Sequence, residues 1–154
     1  MSQDHNHLNH STWECKYHVV FIPKYRKKAL FGHIRQNLGT VFHDLAHRKE
    51  CKIEEGHLRP DHVHILISIP PKHSVASVIG FLKGKSSIWI AQNVERKARN
   101  FLGHKFWARG YFVSTVGGTS RLSATTSKIR RQRIKSWISW NSSCPHHDAP
   151  IPIP

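Results

Sequence analysis

The feature that most constrains the fold of this chain is an apolar run that starts with two histidines and stops at two prolines. The run extends from His62 to Ile69, after a turn at residues 59–61, and Pro70-Pro71 follows it. Its length and its Val and Ile content indicate a β-strand that the prolines terminate. Because successive side chains of a strand point to opposite faces, His62 and His64 are predicted to share one face of a sheet.

This histidine pair is suited to metal binding. Two imidazoles on one face can bind a divalent cation together and leave coordination positions for water, a phosphate oxygen or a third side chain. The alternative is an incidental pair, because the chain has 14 histidines and a second His-x-His occurs at His5 and His7. The strand context favours the metal site. Asp61, beside the pair, either orients a histidine or caps the turn.

The charge of the chain indicates a polyanionic partner. Its 154 residues suit one domain with a proper core, and the formal net charge is +15. Nucleic acid is the first expectation and membrane phospholipid the alternative. No apolar run approaches the roughly 20 residues that span a bilayer, and no signal peptide is visible, so we expect no membrane partner and a cytoplasmic location. Cys15, Cys51 and Cys144 form no CxxC pair and are expected to be reduced packing residues.

Hydrophobic periodicity predicts four strands and two helices after a disordered leader at residues 1–12. Apolar residues at helical spacing from Ile34 indicate a helix to about Lys49, and Ser74 is a good N-cap for a second helix. The order strand, helix, strand, strand, helix, strand predicts an α+β, ferredoxin-like antiparallel sheet with both helices on one face. The predicted strands are Trp13–Ile22, Lys52–Gly56, His62–Ile69 and Tyr111–Val116.

A family resemblance rests on five ordered blocks of the chain. They are residues 17–26 (YHVVFIPKYR), 55–64 (EGHLRPDHVH), 68–72 (SIPPK), 81–87 (FLKGKSS) and 106–117 (FWARGYFVSTVG). Together they resemble the small single-tyrosine HUH transposases of bacterial insertion sequences, the TnpA type. The similarity covers residues 13–117, which we interpret as the transposase HUH domain.

The resemblance implies a metal-dependent enzyme that cuts and rejoins single-stranded DNA. In such enzymes the two strand histidines, here His62 and His64, hold Mg²⁺ or Mn²⁺ against the scissile phosphate, and a tyrosine attacks that phosphate. The covalent phosphotyrosine conserves the bond energy for rejoining, so no nucleotide cofactor is implied. The resemblance also implies a homodimer that binds single-stranded hairpin DNA.

Basic and aromatic residues within or beside the blocks are predicted to bind this DNA. Cations pair with phosphates, an aromatic ring can stack on a base, and Arg59 could hold a phosphate bidentately. The alternative for each is a solvated surface residue. We expect the basic loop at residues 24–28, and the lysines of the second helix, to flank the histidine face. The predicted DNA-binding residues are Lys24, Tyr25, Arg26, Lys27, Lys28, Arg59, Lys83 and Lys85.

The tyrosine nucleophile is missing from its expected position. The chain has three tyrosines, Tyr17, Tyr25 and Tyr111, and none lies beyond residue 117. The resemblance places the nucleophile at Thr126 and a metal-site glutamine near Arg130. An alkoxide is far harder to form than a phenolate whose pKa is about 10, so threonine is a poor substitute. We therefore expect this copy to be inactive and Tyr111 to be structural.

Residues 118–154 differ from the rest of the chain and are predicted to be an out-of-frame tail. They hold six Lys or Arg and one acid, with Ser and Thr clusters that show no helical apolar stripe. Permitted codons for residues 118–127, read from the last base of the first codon, encode Asp-Glu-Pro-Val-Ile-Arg-Asp-Tyr-Ile, whose tyrosine falls at the Thr126 position. A frameshift is compatible with this segment. We expect a tail that contacts the core only sparsely, and no role for Trp137 and Trp140.

Two other functions remain open from the sequence. One is a dimer that binds hairpin DNA without cutting it. The other is an HUH replication initiator, which shares the histidine motif. The compact match of five blocks and the lack of a further domain argue against the initiator.

Overall fold

The described part of the chain contains six strands and three helices. This computed structural model describes residues 6–24, 30, 32–93, 106–116 and 131–139. None of the described helices is both long and apolar enough to cross a membrane. In chain order the elements are β1 (Asn6–Leu8), β2 (Ser11–Trp13), β3 (Lys16–Phe21), α1 (Gly32–Arg48), β4 (Lys52–Leu58), β5 (Val63–Ser68), α2 (Val75–Asn93), β6 (Phe112–Val116) and α3 (residues 131–139).

The N-terminal residues form a small hairpin. Strands β1 and β2 pair antiparallel, with Asn6 opposite Trp13 and Leu8 opposite Ser11. His10, in the two-residue turn, has a φ of 65°, which is a left-handed backbone conformation. The prediction of a disordered leader is therefore wrong for residues 6–12, because the polar residues pair through their backbones.

The main sheet has four strands in the order β4-β5-β3-β6, and every neighbouring pair is antiparallel. Helices α1 and α2 each connect strands that are not adjacent in the sheet, which gives the ferredoxin-like arrangement. The α+β fold prediction is confirmed, with strand ends within three residues of those expected. A bulge between Ile53 and Glu55 shifts the register of β4, the strand at one edge of this sheet.

The apolar residues of α1 and α2 cover one face of this sheet. Val19 and Phe21 of β3 point into this helix-side core, and the Phe21 ring packs edge-on against Phe42 and Trp107. Burial of each such side chain contributes about 1.5–3 kcal/mol. At the start of α2, the Ser74 hydroxyl accepts a hydrogen bond from the Ser77 N–H at 3.1 Å, as expected of the predicted N-cap.

Helix α3 packs on the opposite face of the sheet. Ile138 is buried against Val20, Ile22 and Ala108, and Ile134, Phe112 and Trp137 pack around this second cluster. The prediction of sparse contact is therefore wrong for residues 131–139, and Trp137 has a packing role. Trp140 lies outside the described residues. The apolar positions 134, 137 and 138 have the i, i+3, i+4 spacing of an amphipathic helix.

Candidate metal and nucleic-acid site

His64 lies on the sheet face opposite α1 and α2. Its neighbours Val63 and Ile65 belong to the helix-side core, and strand alternation points His64 the other way. There the His64 Nε2 atom is 2.9 Å from Nδ1 of His18, on the adjacent strand β3. The two rings are stacked, with centroids 4.9 Å apart and planes at 27°. The structure thus gives His64 a ring partner that sequence reasoning missed.

His62 lies one residue before β5, in the turn that links β4 to β5. Its Nδ1–H donates to Oδ1 of Asp61 at 2.8 Å, so Asp61 orients this imidazole, one of its two sequence interpretations. The Arg59 N–H donates to the His62 carbonyl at 2.9 Å, which closes the turn. With Nδ1 paired to a carboxylate, Nε2 is the His62 nitrogen suited to bind a metal.

The donor chemistry of the two predicted ligands fits a divalent cation. One is an imidazole held by a carboxylate, and the other is an imidazole held by a second ring. Within the described ranges, no three His, Cys, Asp or Glu side chains are grouped as a metal site. That His62 and His64 reach a common cation stays a prediction.

A polar cleft opens at the β4 edge of the sheet. It has a volume of about 420 Å³ and is lined by Arg35, Gly56, His57, Leu58 and Arg59. His57 is a residue of β4, and it lies opposite His64 with ring centroids 6.3 Å apart. Arg59, predicted to bind DNA, thus shares a cleft with Arg35 of α1. No sequence motif links these arginines, because only the packing of α1 on β4 brings them together.

The basic loop is described only at its first residue. The Lys24 N–H donates to the Phe106 carbonyl at 2.8 Å, beside an isolated bridge between Pro23 and Trp107. The other predicted DNA-binding residues of this loop, Tyr25, Arg26, Lys27 and Lys28, lie outside the described residues.

Lys83 joins α2 to the segment that precedes β6. Its Nζ donates to the carbonyls of Ala108 and Gly110, each at 2.7 Å, and lies 5.9 Å from the Phe21 ring centroid. Burial lowers the pKa of Lys83 to about 8. The prediction that Lys83 and Lys85 flank the histidine face is wrong, because α2 packs on the other face. Lys85 is exposed beside an apolar groove of about 660 Å³.

The described tyrosines do not face the histidines. Tyr17 and Tyr111 both pack against the helix-side core, on the opposite side of the sheet from His64. Tyr111 therefore has the structural position that we expected. Tyr25, Thr126 and Arg130 lie outside the described residues. Within the described ranges, no phenol is available on the face that carries His18 and His64.

The four-stranded sheet covered by α1 and α2 matches the fold of solved transposase structures. A crystal structure from Deinococcus radiodurans R1, a candidate transposase solved at 1.90 Å, matches with a TM-score of 0.71 over 94% of this chain and 100% of that chain, at 21% identity. A REP-associated tyrosine transposase bound to a REP hairpin matches with a TM-score of 0.51, over 87% of this chain and 68% of that chain, at 13% identity.

Sequence comparison identifies the family: the chain belongs to the IS200-like transposases. The family described as "Transposase IS200 like" matches residues 11–132. The transposase for insertion sequence element IS200 from Salmonella typhimurium is 43% identical over 149 residues, 96% of each protein. The ISDra2 transposase TnpA of Deinococcus radiodurans is 26% identical over 109 residues, 71% of this chain and 78% of that protein.

These matches extend beyond residue 117, where the last sequence block ends. The family match continues to residue 132, and the Salmonella alignment, at 96% of the chain, includes most of residues 118–154. Similarity thus continues into part of the region interpreted as out of frame. The frameshift stays a prediction.

Proposed function

We propose that this transposase is of the single-strand HUH type, with hairpin DNA as its substrate and a homodimer as its working form. His62 and His64 are the proposed ligands of Mg²⁺ or Mn²⁺. The observation that carries the proposal is that each imidazole has a fixed partner, Asp61 for His62 and His18 for His64. Ligands held in one orientation lose less entropy when they bind a cation.

The residues around the histidines suit a DNA strand. Arg35 and Arg59 line a cleft together with His57, and the centroid of the His57 ring is 6.3 Å from that of the His64 ring. Guanidinium groups bind phosphate oxygens through two parallel hydrogen bonds. A bound divalent cation would stabilise charge on the phosphoryl oxygens. The net charge of +15 further favours a polyanionic substrate.

The proposal includes the loss of cleavage activity in this copy. Formation of a phosphotyrosine needs a phenol oxygen near the scissile phosphate, and Tyr17 and Tyr111 lie on the far side of the sheet. Threonine at position 126 has no comparable acidity. The proposed loss rests on the absence of a tyrosine beyond residue 117, whether or not a frameshift produced the tail.

A second candidate function is hairpin binding without cleavage. It is favoured by one observation: the sheet, the histidine turn and the Arg35–Arg59 cleft are all formed in a chain whose described tyrosines face away. The replication initiator is a weaker alternative, because the chain aligns with the IS200 transposase over 96% of both lengths.

The test measures covalent adducts on a labelled single-stranded hairpin in Mn²⁺, by denaturing gel electrophoresis. The chain as written should bind the hairpin, with an affinity that falls steeply with salt, and form no adduct. A gene with one base added, or two removed, near codon 118 reads the frame that encodes the missing tyrosine and should form one. Its matched control replaces the restored tyrosine with phenylalanine and should form none.

Two outcomes would contradict parts of the proposal. An adduct on the unmodified chain would show that activity is retained, and mapping it to Tyr111 or Thr126 would identify the nucleophile. A shifted gene that folds and binds DNA but forms no adduct would reject the frameshift interpretation.

A further inference from the structure

His18 and His64 form a close pair across two adjacent strands. In the β3–β5 ladder His18 lies opposite Leu66 and His64 lies opposite Val20, so the two histidines are diagonal neighbours on one face. Diagonal neighbours of this kind are within reach of aromatic side chains. The 2.9 Å separation of His18 Nδ1 and His64 Nε2 is a hydrogen-bond distance, and stacking of the rings adds a second contact.

A hydrogen bond between two imidazole nitrogens restricts both rings. One nitrogen must carry a proton and the other must present a lone pair, so the bond couples the tautomer of His64 to that of His18. The bond also fixes the rotation of the His64 ring about its side-chain torsions, which otherwise vary broadly for an imidazole. Both side chains are only partly exposed, which limits competition from water.

We propose that His18 is a positioning residue that holds the ring of His64 in one orientation and one tautomer. The functional consequence, a preorganised metal ligand, rests on the metal site proposed above. His62 is also held by a partner, Asp61 at 2.8 Å, but through Nδ1, whereas His64 is held through Nε2; the nitrogen left for a cation is therefore Nε2 of His62 and Nδ1 of His64. Each proposed ligand therefore has its own partner, a carboxylate in one case and a second imidazole in the other.

The hydrogen bond can be tested without any metal. In the full chain labelled with ¹⁵N-histidine, NMR should detect a coupling across the bond between His18 Nδ1 and His64 Nε2, and tautomer-specific ¹⁵N shifts for His64. His18→Ala should abolish the coupling and average the His64 shifts. His43→Ala, at an exposed position of α1, should leave both unchanged. Absence of the coupling in the unmodified chain would overturn the proposal.

The consequence for metal binding is tested with Mn²⁺ alone, followed by electron paramagnetic resonance. His18→Ala should weaken Mn²⁺ binding about tenfold, the lower end of the effect of removing a residue that orients a ligand. His18→Asn should restore most of the affinity, because asparagine places polar atoms at the depth of Nδ1. His18→Gln, whose polar atoms lie one bond further out, should restore less. Backbone NMR spectra confirm that each variant folds.

The outcomes separate this proposal from the proposed function. Unchanged affinity in His18→Ala would overturn the positioning role and leave the metal site intact. If His18→Ala and His18→Asn lose the same Mn²⁺ affinity, and a His18 nitrogen is coupled to bound Mn²⁺, then His18 is itself a ligand. That result would also overturn the positioning role. If the unmodified chain binds no Mn²⁺, the proposed metal site is rejected. The ¹⁵N shifts of His64 in His18→Ala then decide whether His18 holds the His64 ring.

Discussion

The two faces of the four-stranded sheet differ in what covers them, although β3 supplies residues to both. On the helix side, Val19 and Phe21 lie under α1 and α2 in a continuous apolar core. On the other side, Val20 packs under α3 while His18 meets His64. The comparison shows that one alternating strand can supply the larger apolar core through its odd positions, and both a smaller apolar cluster and the histidine contact through its even ones.

The difference extends to the polar groups on each face. On the helix side, the Lys83 ammonium is buried and donates hydrogen bonds to two backbone carbonyls. These polar contacts of the helix side hold packed elements together. On the histidine side, one polar contact joins two imidazoles. Three predictions test this division, in order of expected size.

The largest effect is expected from Phe21→Ala on the helix side. The side chain is fully buried and contacts two aromatic rings, so its loss should lower the free energy of unfolding by about 3–5 kcal/mol. Val20→Ala, one residue away on the other face, should cost about 2 kcal/mol or less, since only two methyl groups are removed. Urea denaturation measures both.

The control for this pair is Val113→Ala in β6, at a side chain that is 40% exposed, which should change stability by less than about 0.5 kcal/mol. Equal losses for Phe21→Ala and Val20→Ala would contradict the division between the faces.

A smaller effect is expected from Ile138→Ala in α3. Removal of this buried contact should destabilise the docked helix by about 2 kcal/mol, seen as faster amide hydrogen exchange in residues 131–139. Exchange in α1 should not change, because that helix packs on the opposite face. Lys135→Ala, on the exposed side of α3, is the matched control. Similar exchange rates in both variants would mean that α3 does not depend on this contact.

The smallest effect concerns Lys83 and pH. Burial lowers its pKa from 10.5 to about 8, so between these values the folded chain binds fewer protons than the unfolded chain, and the free energy of unfolding should rise with pH. Burial raises the pKa of Cys51 from 9.0 to about 11, which acts in the opposite direction above pH 9. The effect of Lys83 on the free energy of unfolding should therefore be clearest between pH 8 and pH 9.

We expect a rise on the order of 1 kcal/mol or less across that interval, measured by denaturation at closely spaced pH values. Lys83→Met should remove the rise while keeping the hydrophobic stem. Lys85→Met, on the exposed side of the same helix, should retain it. A rise that persists in Lys83→Met must come from another group.

Local patterns predicted most of the fold, because strand alternation and helical spacing depend on neighbours in the sequence. The missed helix, α3, has the same kind of signal at Ile134, Trp137 and Ile138. That signal spans less than two helical turns, within a segment whose composition is dominated by Ser, Thr and basic residues. Composition taken over the whole tail therefore obscured a short amphipathic stretch.

The candidate site was less predictable than the fold. The Asp61–His62 contact joins adjacent residues, so the turn sequence pointed to it. The His18–His64 contact joins residues 46 positions apart, and it depends on the register between β3 and β5. Register follows from the whole sheet, and a shift of one residue would turn His18 away from this face.

The bulge in β4 bears on how this protein behaves at high concentration. An edge strand exposes backbone groups that can pair with the edge of another molecule and begin aggregation. The bulge interrupts that edge and inserts Glu54, whose carboxylate accepts a hydrogen bond from Ser68 and lies 3.2 Å from Lys52 Nζ. An irregular ladder with a charged pair is a poor template for a further strand, so this edge resists sheet-to-sheet association.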